Sequence, residues 1–446
     1  MASANGPSQA IDASSVDPNS YLANPAIAPV PGAVGPADIG NPASTPSVMA
    51  LPVQPTGSTT IGTGGPAVDA SNMHKFYTFS VDLRETYDDN VGTSNSNKQS
   101  SLETSISPSV LVSFPIENSN FSAGYTFSET YYSQTAGTGN NLQYSNSFNA
   151  QYSHTFSDRF SLTAGDSLVD SPEPNIYGTT GTPYRDGQNV SNAFNAGLSA
   201  QWTPLIGSQT TYANTIVRYL DEAEIAATQD NMENTASQSV SFTVTPTISG
   251  SLGGVYDNTS YDQDPRGYTS YTGFIGGSWG ALPNVNASLR VGGTYTESTQ
   301  QEGNGPTTTS GSASPYADIS ASWAIGKNSS LSGDYSHEVT PSDYAGSSSQ
   351  ESDRLSGSFS YTVTPQVSTH FQVSYSYNTV SQSQIYSTSN TSSYDETVYS
   401  ADAGASYNFI KYFSLNFDIS ESGVSSGIPD SSYNREEVSF GVRGTY

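Results

Sequence analysis

From Lys75 onward the chain alternates apolar and polar residues with period two, the mark of half-buried strands. In Phe76 to Tyr87 the apolar set Tyr77, Phe79, Val81 and Leu83 alternates with Thr78, Ser80, Asp82 and Arg84. The pattern returns at Val285 to Val291 and at Arg354 to Val363, and again at the end, where Val438, Phe440, Val442 and Tyr446 oppose Glu437, Ser439, Arg443 and Thr445. No stretch approaches the roughly 18 consecutive apolar residues that a transmembrane helix needs. A membrane barrel fits instead, because lipid-facing residues alternate with lumen-facing ones and keep the average polar, here a mean hydropathy of −0.44.

Turn chemistry divides the strands into hairpins. Short turns are expected at Phe114-Pro115, Phe156-Ser157-Asp158, Thr203-Pro204, Thr245-Pro246, Leu282-Pro283, Gly326-Lys327-Asn328, Thr364-Pro365 and Ile410-Lys411. Between them lie nine Gly/Ser/Asn/Asp-rich loops near 88–98, 135–141, 170–188, 222–230, 257–267, 298–310, 341–351, 383–392 and 424–431. Eight turns alternating with nine loops give an all-β fold, a transmembrane antiparallel up-and-down β-barrel of about 18 strands over residues 74–446. The short turns are expected on the periplasmic side and the long loops outside.

Aromatic placement supports the same reading. Trp202, Trp279 and Trp323 lie just before short turns, and Phe114, Phe156, Phe242, Tyr361 and Phe409 precede the other five, as in an interfacial girdle. Tyr87, Tyr131, Tyr219, Tyr256, Tyr295, Tyr335 and Tyr377 cluster at the opposite strand ends and are expected to form the outer girdle.

Residues 1–73 are different in kind. They hold 11 of the 25 prolines, no Lys or Arg and four Asp, and read as a Pro/Ala/Gly/Ser-rich periplasmic extension or linker. Residues 1 to 30 show neither a basic nor an apolar export region, so a signal peptide removed upstream is expected.

Composition narrows the function classes. Cysteine is absent, which removes disulfides, thiol catalysis and Cys-based metal sites within this chain. A net charge of −27 argues against nucleic acid and favours small cations or polar solutes. Gly276-Gly-Ser278-Trp-Gly280 matches a nucleophile-elbow pattern, but an elbow needs a strand-to-helix turn and this run lies within an alternating strand. His74, His154, His337 and His370 lack metal-ligand spacing, and the acidic groups Asp88-Asp89-Asn90 and Asp257, Asp262, Asp264 lack a complete calcium-loop pattern. No enzyme activity, metal or cofactor is expected.

Strand parity places one set of charges inside the barrel: Asp82, Arg84, Glu103, Arg218, Asp257, Arg290, Asp318, Asp334, Glu338, Arg354, Asp402, Asp418, Glu437 and Arg443. Two readings are open for them. They are mutually paired filling of a wet lumen, or they make a transverse field with Arg on one wall and carboxylates on the other. The long loop at 170–188 is expected to fold inward and narrow the pore.

The ending Val438-Ser-Phe-Gly-Val-Arg-Gly-Thr-Tyr446 resembles the last strand of Gram-negative outer-membrane proteins, with Tyr where Phe is commoner. With Tyr87-Asp88-Asp89-Asn90 and the Thr-Pro-x-x-Ser hairpins at Thr245 and Thr364, residues 75 to 446 resemble the second putative β-barrel porin family. The resemblance implies an outer-membrane porin among lipid and lipopolysaccharide that passes small hydrophilic solutes or ions by diffusion; the negative charge of barrel and loops adds the expectation of a mild cation preference. The alternative is a structural or scaffolding barrel that anchors or sheathes a cell-wall element or a periplasmic cytochrome. A homo-oligomer, and a periplasmic or cell-wall partner for the extension, are compatible with either.

Overall fold

The computed structural model describes residues 76–135, 140–171, 188–220, 230–262, 266–282, 284–301, 307–342, 347–381, 393–427 and 432–446. Expectations for the extension at 1–73, for an inward fold of the 170–188 loop and for His74 fall outside them. The first nine strands are β1 (Tyr77–Asp88), β2 (Ser101–Ile116), β3 (Ser119–Tyr132), β4 (Leu142–Ser157), β5 (Phe160–Ser171), β6 (Asn189–Thr203), β7 (Ile206–Tyr219), β8 (Asn231–Thr245) and β9 (Ile248–Tyr261). The other nine are β10 (Gly267–Leu282), β11 (Val285–Gln301), β12 (Thr307–Ile325), β13 (Ser329–Pro341), β14 (Ser349–Thr364), β15 (Val367–Ser381), β16 (Ser393–Ile410), β17 (Phe413–Ser426) and β18 (Tyr433–Thr445). Each pairs antiparallel with its sequence neighbours, and β1 pairs with β18 from Ser80↔Thr445 to Asp88↔Glu437, so one 18-stranded sheet closes without an edge. Closure satisfies the backbone in hydrocarbon, where an open edge would leave a row of unpaired N–H and C=O groups.

Side-chain chemistry explains the hairpins. Thr203 Oγ1 accepts hydrogen bonds from the Leu205 and Ile206 N–H groups at 3.2 and 3.1 Å. Thr364 Oγ1 does the same for Gln366 and Val367 at 3.3 and 3.1 Å. In each Thr-Pro turn the hydroxyl takes over amides that the bend removes from the ladder, while Pro fixes φ. The Gly326-Lys327-Asn328 turn uses another device, Gly326 at φ 68°, which an L side chain resists.

The first short turn is displaced from its expected place. Phe114 and Pro115 belong to β2, opposite Phe121 and Asn120, and the chain reverses at residues 117–118. Ser113 N–H reaches across to the Phe76 carbonyl, so the Pro115 nitrogen, two residues on, faces the same side beyond the start of β1. A missing donor costs nothing there.

The strand faces are sharply distinguished. On β18 the inward residues from Tyr433 to Gly441 are buried and the outward ones between them are exposed. Outward on β14 stand Val363, Tyr361, Phe359, Gly357 and Leu355, a rise of roughly 20 Å at barrel tilt, and polar Asp353 follows. The turn-side aromatics Phe114, Phe156, Trp202, Phe242, Trp279, Trp323, Tyr361 and Phe409 are all exposed on this outer face. Tyr87, Tyr131, Tyr256, Tyr295 and Tyr377 are exposed at the far ends. An apolar outer surface between two aromatic rings is stable only in lipid. Tyr219 breaks the expected outer ring, because its parity on β7 turns it inward.

Candidate functional site

The inner face of this sheet is the candidate site. With about 4.8 Å between strands and ~40° tilt, 18 strands enclose a backbone radius of about 18 Å, which leaves an aqueous channel once side chains fill the wall. Of the expected inward charges, Asp82, Arg84, Glu103, Asp257, Arg290, Asp318, Asp334, Glu338, Arg354, Asp402, Asp418, Glu437 and Arg443 stand on inward positions. Arg218 does not. It shares parity with the outward Ile206, Tyr212 and Ile216, and its guanidinium binds the Val217 and Asn231 carbonyls and Asp262 at the external rim. Thr on both faces of β7, polar Ser208 and Asn214 outward and apolar Ala213 and Val217 inward blur the alternation, which accounts for the slip of one residue in both Arg218 and Tyr219.

The inward charges are gathered on one part of the wall. On β9 to β14, Arg290 Nε and Nη2 both donate to Asp318 Oδ1, at 3.1 and 2.9 Å, from directly opposed positions on adjacent strands. Gly276, opposite Arg290, leaves room for the arginine stem, since a Cβ there would come within 2.8 Å of Arg290 Cγ. The guanidinium carbon lies 5.5 Å from the Phe274 ring centroid, and Phe274, only 3% exposed, forms an apolar floor. Arg354 Nη1 is 3.8 Å from Glu338 Oε1, and Asp334 accepts a hydrogen bond from Ser356 Oγ.

A second group spans β15 to β18, β1 and β2. His370 Nε2 donates to Asp402 Oδ1 at 2.9 Å and lies 3.7 Å from Asp418. Arg84 joins Asp418 at 3.6 Å and Asp82 at 3.7 Å, and Asp82 faces Arg443 in register. Gly404 makes this packing feasible: a Cβ there would collide with the His370 ring and an Asp418 oxygen. Nearer the outer mouth Arg435, 2% exposed, donates Nε and Nη2 to Asp88 Oδ2 at 2.9 and 2.6 Å and reaches Glu437 at 2.9 Å. Glu103 lies 3.8 Å away. Arg435 was absent from the expected inward set, although it shares odd parity with Glu437 and Arg443.

Each of Arg84, Arg290, Arg354 and Arg435 therefore sits with carboxylates on its own or a nearby strand. Arginines and carboxylates are not divided between opposing walls. From β3 to β8 the inward positions carry Ser, Thr, Asn, Gln, Gly and a few apolar residues, with Glu233 their single charge. Gly124 and Gly165 face the Asn149 and Asn195 amides at about 3 Å from where a Cβ would stand, so these amides lie flat on the wall.

The external mouth is shaped on the β9 to β14 side. β13 pairs with β12 only as far as His337↔Ala317, while β12 itself continues outward against β11. Beyond that point Tyr268 Oη donates to the Val339 carbonyl at 2.7 Å, Tyr261 Oη to Ser342 O at 2.9 Å and Arg266 Nη1 to Ser347 O at 3.1 Å. The outer ends of β13 and β14 are thereby tied to the inner side of β9 to β11. Tyr261, Arg266 and Tyr268, gathered within eight positions at a loop edge, are the sequence sign of this contact.

The residues of the elbow-like and acidic sequence patterns take the following places. Gly276 to Gly280 runs through β10 without a helix, and Ser278 Oγ meets Ser249 Oγ at 2.6 Å. Asp257 lies inward on β9, Asp262 binds Arg218 and Asp88 binds Arg435, while Asp264 lies outside the described residues. His337 faces outward and meets Asp353 and Glu351.

An even strand count, short turns at one end, long loops at the other and an apolar belt between aromatic rings define the architecture. The chain is a β-barrel of the outer-membrane kind. Solved structures of similar gross form include the outer membrane protein OpdK of Pseudomonas aeruginosa, 11% identical, with TM-score 0.46 over 83% of this chain and 99% of that one. Acinetobacter baumannii OccAB3 is 13% identical, with TM-score 0.41 over 83% and 99%. A BenF-like porin of Pseudomonas fluorescens Pf-5 is 10% identical, with TM-score 0.42 over the same shares. Likeness at this level says nothing about solute or partner. No protein-family model and no curated protein matches the chain.

Proposed function

We propose that this barrel is an outer-membrane porin that passes small hydrophilic solutes and ions by diffusion, with a mild preference for cations. The observation that carries the reading is the inner wall: hydroxyl and amide groups on β3 to β8, and a charged remainder with more carboxylates than arginines. The inward strand positions carry Arg84, Arg290, Arg354, Arg435 and Arg443. Against them stand Asp82, Asp88, Glu103, Glu233, Asp257, Asp318, Asp334, Glu338, Glu396, Asp402, Asp418 and Glu437. Excess negative charge in a confined aqueous wall raises local cation concentration and repels anions. β1 begins at the short-turn end, so residues before it enter on the periplasmic side in this reading.

Single-channel recording in planar bilayers, with liposome swelling in neutral sugars of graded size, tests the proposal. Stepwise conductance and a size-dependent swelling rate are expected. Silent bilayers and absence of swelling from a folded, heat-modifiable barrel would favour the scaffolding alternative.

A further inference from the structure

The outer face of β5 carries a carboxylate where lipid should be. Asp166 stands midway along that strand, between Ala164 and Leu168, opposite Ala150 on β4 and Phe194 on β6. Phe148, Leu168 and Phe194 around it are all exposed on the outer surface. Its hydrogen bond comes from Asn192 Nδ2 at 3.0 Å, and among the described residues no Lys or Arg lies within salt-bridge distance. Of the outward carboxylates elsewhere, Asp353 and Glu421 stand at the outer edge of the apolar band, and Glu85 and Glu129 stand one tier below the girdle tyrosines Tyr87 and Tyr131. Asp166 has an apolar tier above it as well as below.

Polar groups continue around the same face. Thr210 on β7 and Gln238 on β8 are directly opposed, and the Thr210 hydroxyl donates to the Gln238 amide oxygen. Asn214 Nδ2 donates to Asn234 Oδ1 at 2.9 Å two tiers further out. Ala196 and Ala236 flank the exposed Tyr212 on the tier between, and the Tyr212 hydroxyl also donates to Asn234 Oδ1, at 2.8 Å. A bilayer disfavours such groups on a lipid-facing surface, where polar and ionisable residues ordinarily pair or face protein.

We infer that the outer face of β5 to β8 is an interface with a second copy of this chain. The face is self-complementary: an acceptor that needs donors, Asp166, sits at one side, and the amide and hydroxyl groups of Gln238, Asn214 and Thr210 sit at the other. A two-fold axis along the membrane normal, passing between β6 and β7, sets β5 of each copy against β8 of its partner and brings these groups together. The inference needs only that the barrel spans a membrane. It stands whether or not the lumen conducts.

The absence of cysteine makes the test clean, because an Ala196→Cys variant of the full chain carries one thiol. Reconstituted in lipid vesicles and oxidised with copper phenanthroline, Ala196→Cys is expected to give disulfide-linked dimer at least ten-fold above Phe371→Cys, which lies on β15 on the far side of the barrel. Adding Asp166→Leu, or separately Gln238→Leu, to Ala196→Cys should cut the dimer yield several-fold, while the heat-modifiable band shows that the barrel is folded. Equal yields at Ala196 and Phe371, no dimer from either, or a yield unmoved by both leucine variants would each overturn the inference.

Discussion

The two parts of the lumen wall are built from the same strand geometry but hold their side chains in opposite ways. On β3 to β8, hydroxyls and amides make short cross-strand contacts, such as Thr211 Oγ1 to Ser237 Oγ at 2.5 Å where β7 meets β8, and nearly every group is neutral. On β9 to β18, β1 and β2, the wall depends on ion pairs, glycines opposite bulky partners and a buried arginine. A neutral polar wall loses little when one group is removed, because water replaces the partner. A paired charged wall loses much, because removing one partner leaves the other uncompensated.

The largest expected effect comes from Arg435→Ala. Arg435 is buried with Asp88, Glu437 and Glu103 around it, so its loss leaves several carboxylates close together at low exposure. A destabilisation of about 3–5 kcal/mol is expected, read as a fall in the temperature at which the SDS-resistant band unfolds. An unchanged unfolding temperature would show that this cluster is well hydrated and that the contrast between the walls is shallow.

Gly404→Ala comes next. The new methyl would collide with the His370 ring and an Asp418 oxygen, and both are already held by Asp402 and Arg84. Overpacking of this kind costs about 1–3 kcal/mol. Gly165→Ala on the neutral wall meets only the Asn195 amide, the free end of a flexible side chain, and should unfold close to the parent temperature. Similar losses from both substitutions would remove the distinction.

How far these walls were legible in sequence follows from the clarity of the alternation. Where outward residues are Leu, Val or aromatic and inward ones are Ser or charged, as on β1, β11, β14 and β18, the charges assigned inward by parity do stand inward, although Arg435 on β18 is passed over. On β7, Thr occurs on both faces, with polar Asn214 outward and apolar Ala213 inward, and Arg218 and Tyr219 are assigned to the wrong sides. Pro115 misleads for another reason: proline marks turns strongly, but a strand end past the last residue paired with β1 tolerates it as well. The pairing of Arg290 with Asp318, and of Arg84 with Asp418, depends on register between strands, which composition does not encode. The tie from Tyr261, Arg266 and Tyr268 to the β13–β14 end is longer-ranged still.

A smaller effect concerns selectivity. Replacing Arg84, Arg290 and Arg354 together by Gln frees carboxylates on the charged wall, including Asp318 and Glu338. At a few tenths of a kcal/mol per charge in a wet lumen, the cation-to-anion permeability ratio should rise roughly two- to three-fold. Planar-bilayer reversal potentials check this, and an unchanged ratio would place the ion path away from these pairs. The least change is expected from Asn149→Ala on the neutral wall, with stability within about 0.5 kcal/mol and selectivity as in the parent.

The central claim is that the lumen conducts and that its surplus of carboxylates sets the ion preference. The reversal potential of the unmodified protein across a salt gradient tests it most directly. The account predicts cation preference that weakens as salt rises and the Debye length falls below the pore radius. Anion preference, or a preference independent of ionic strength, would contradict it.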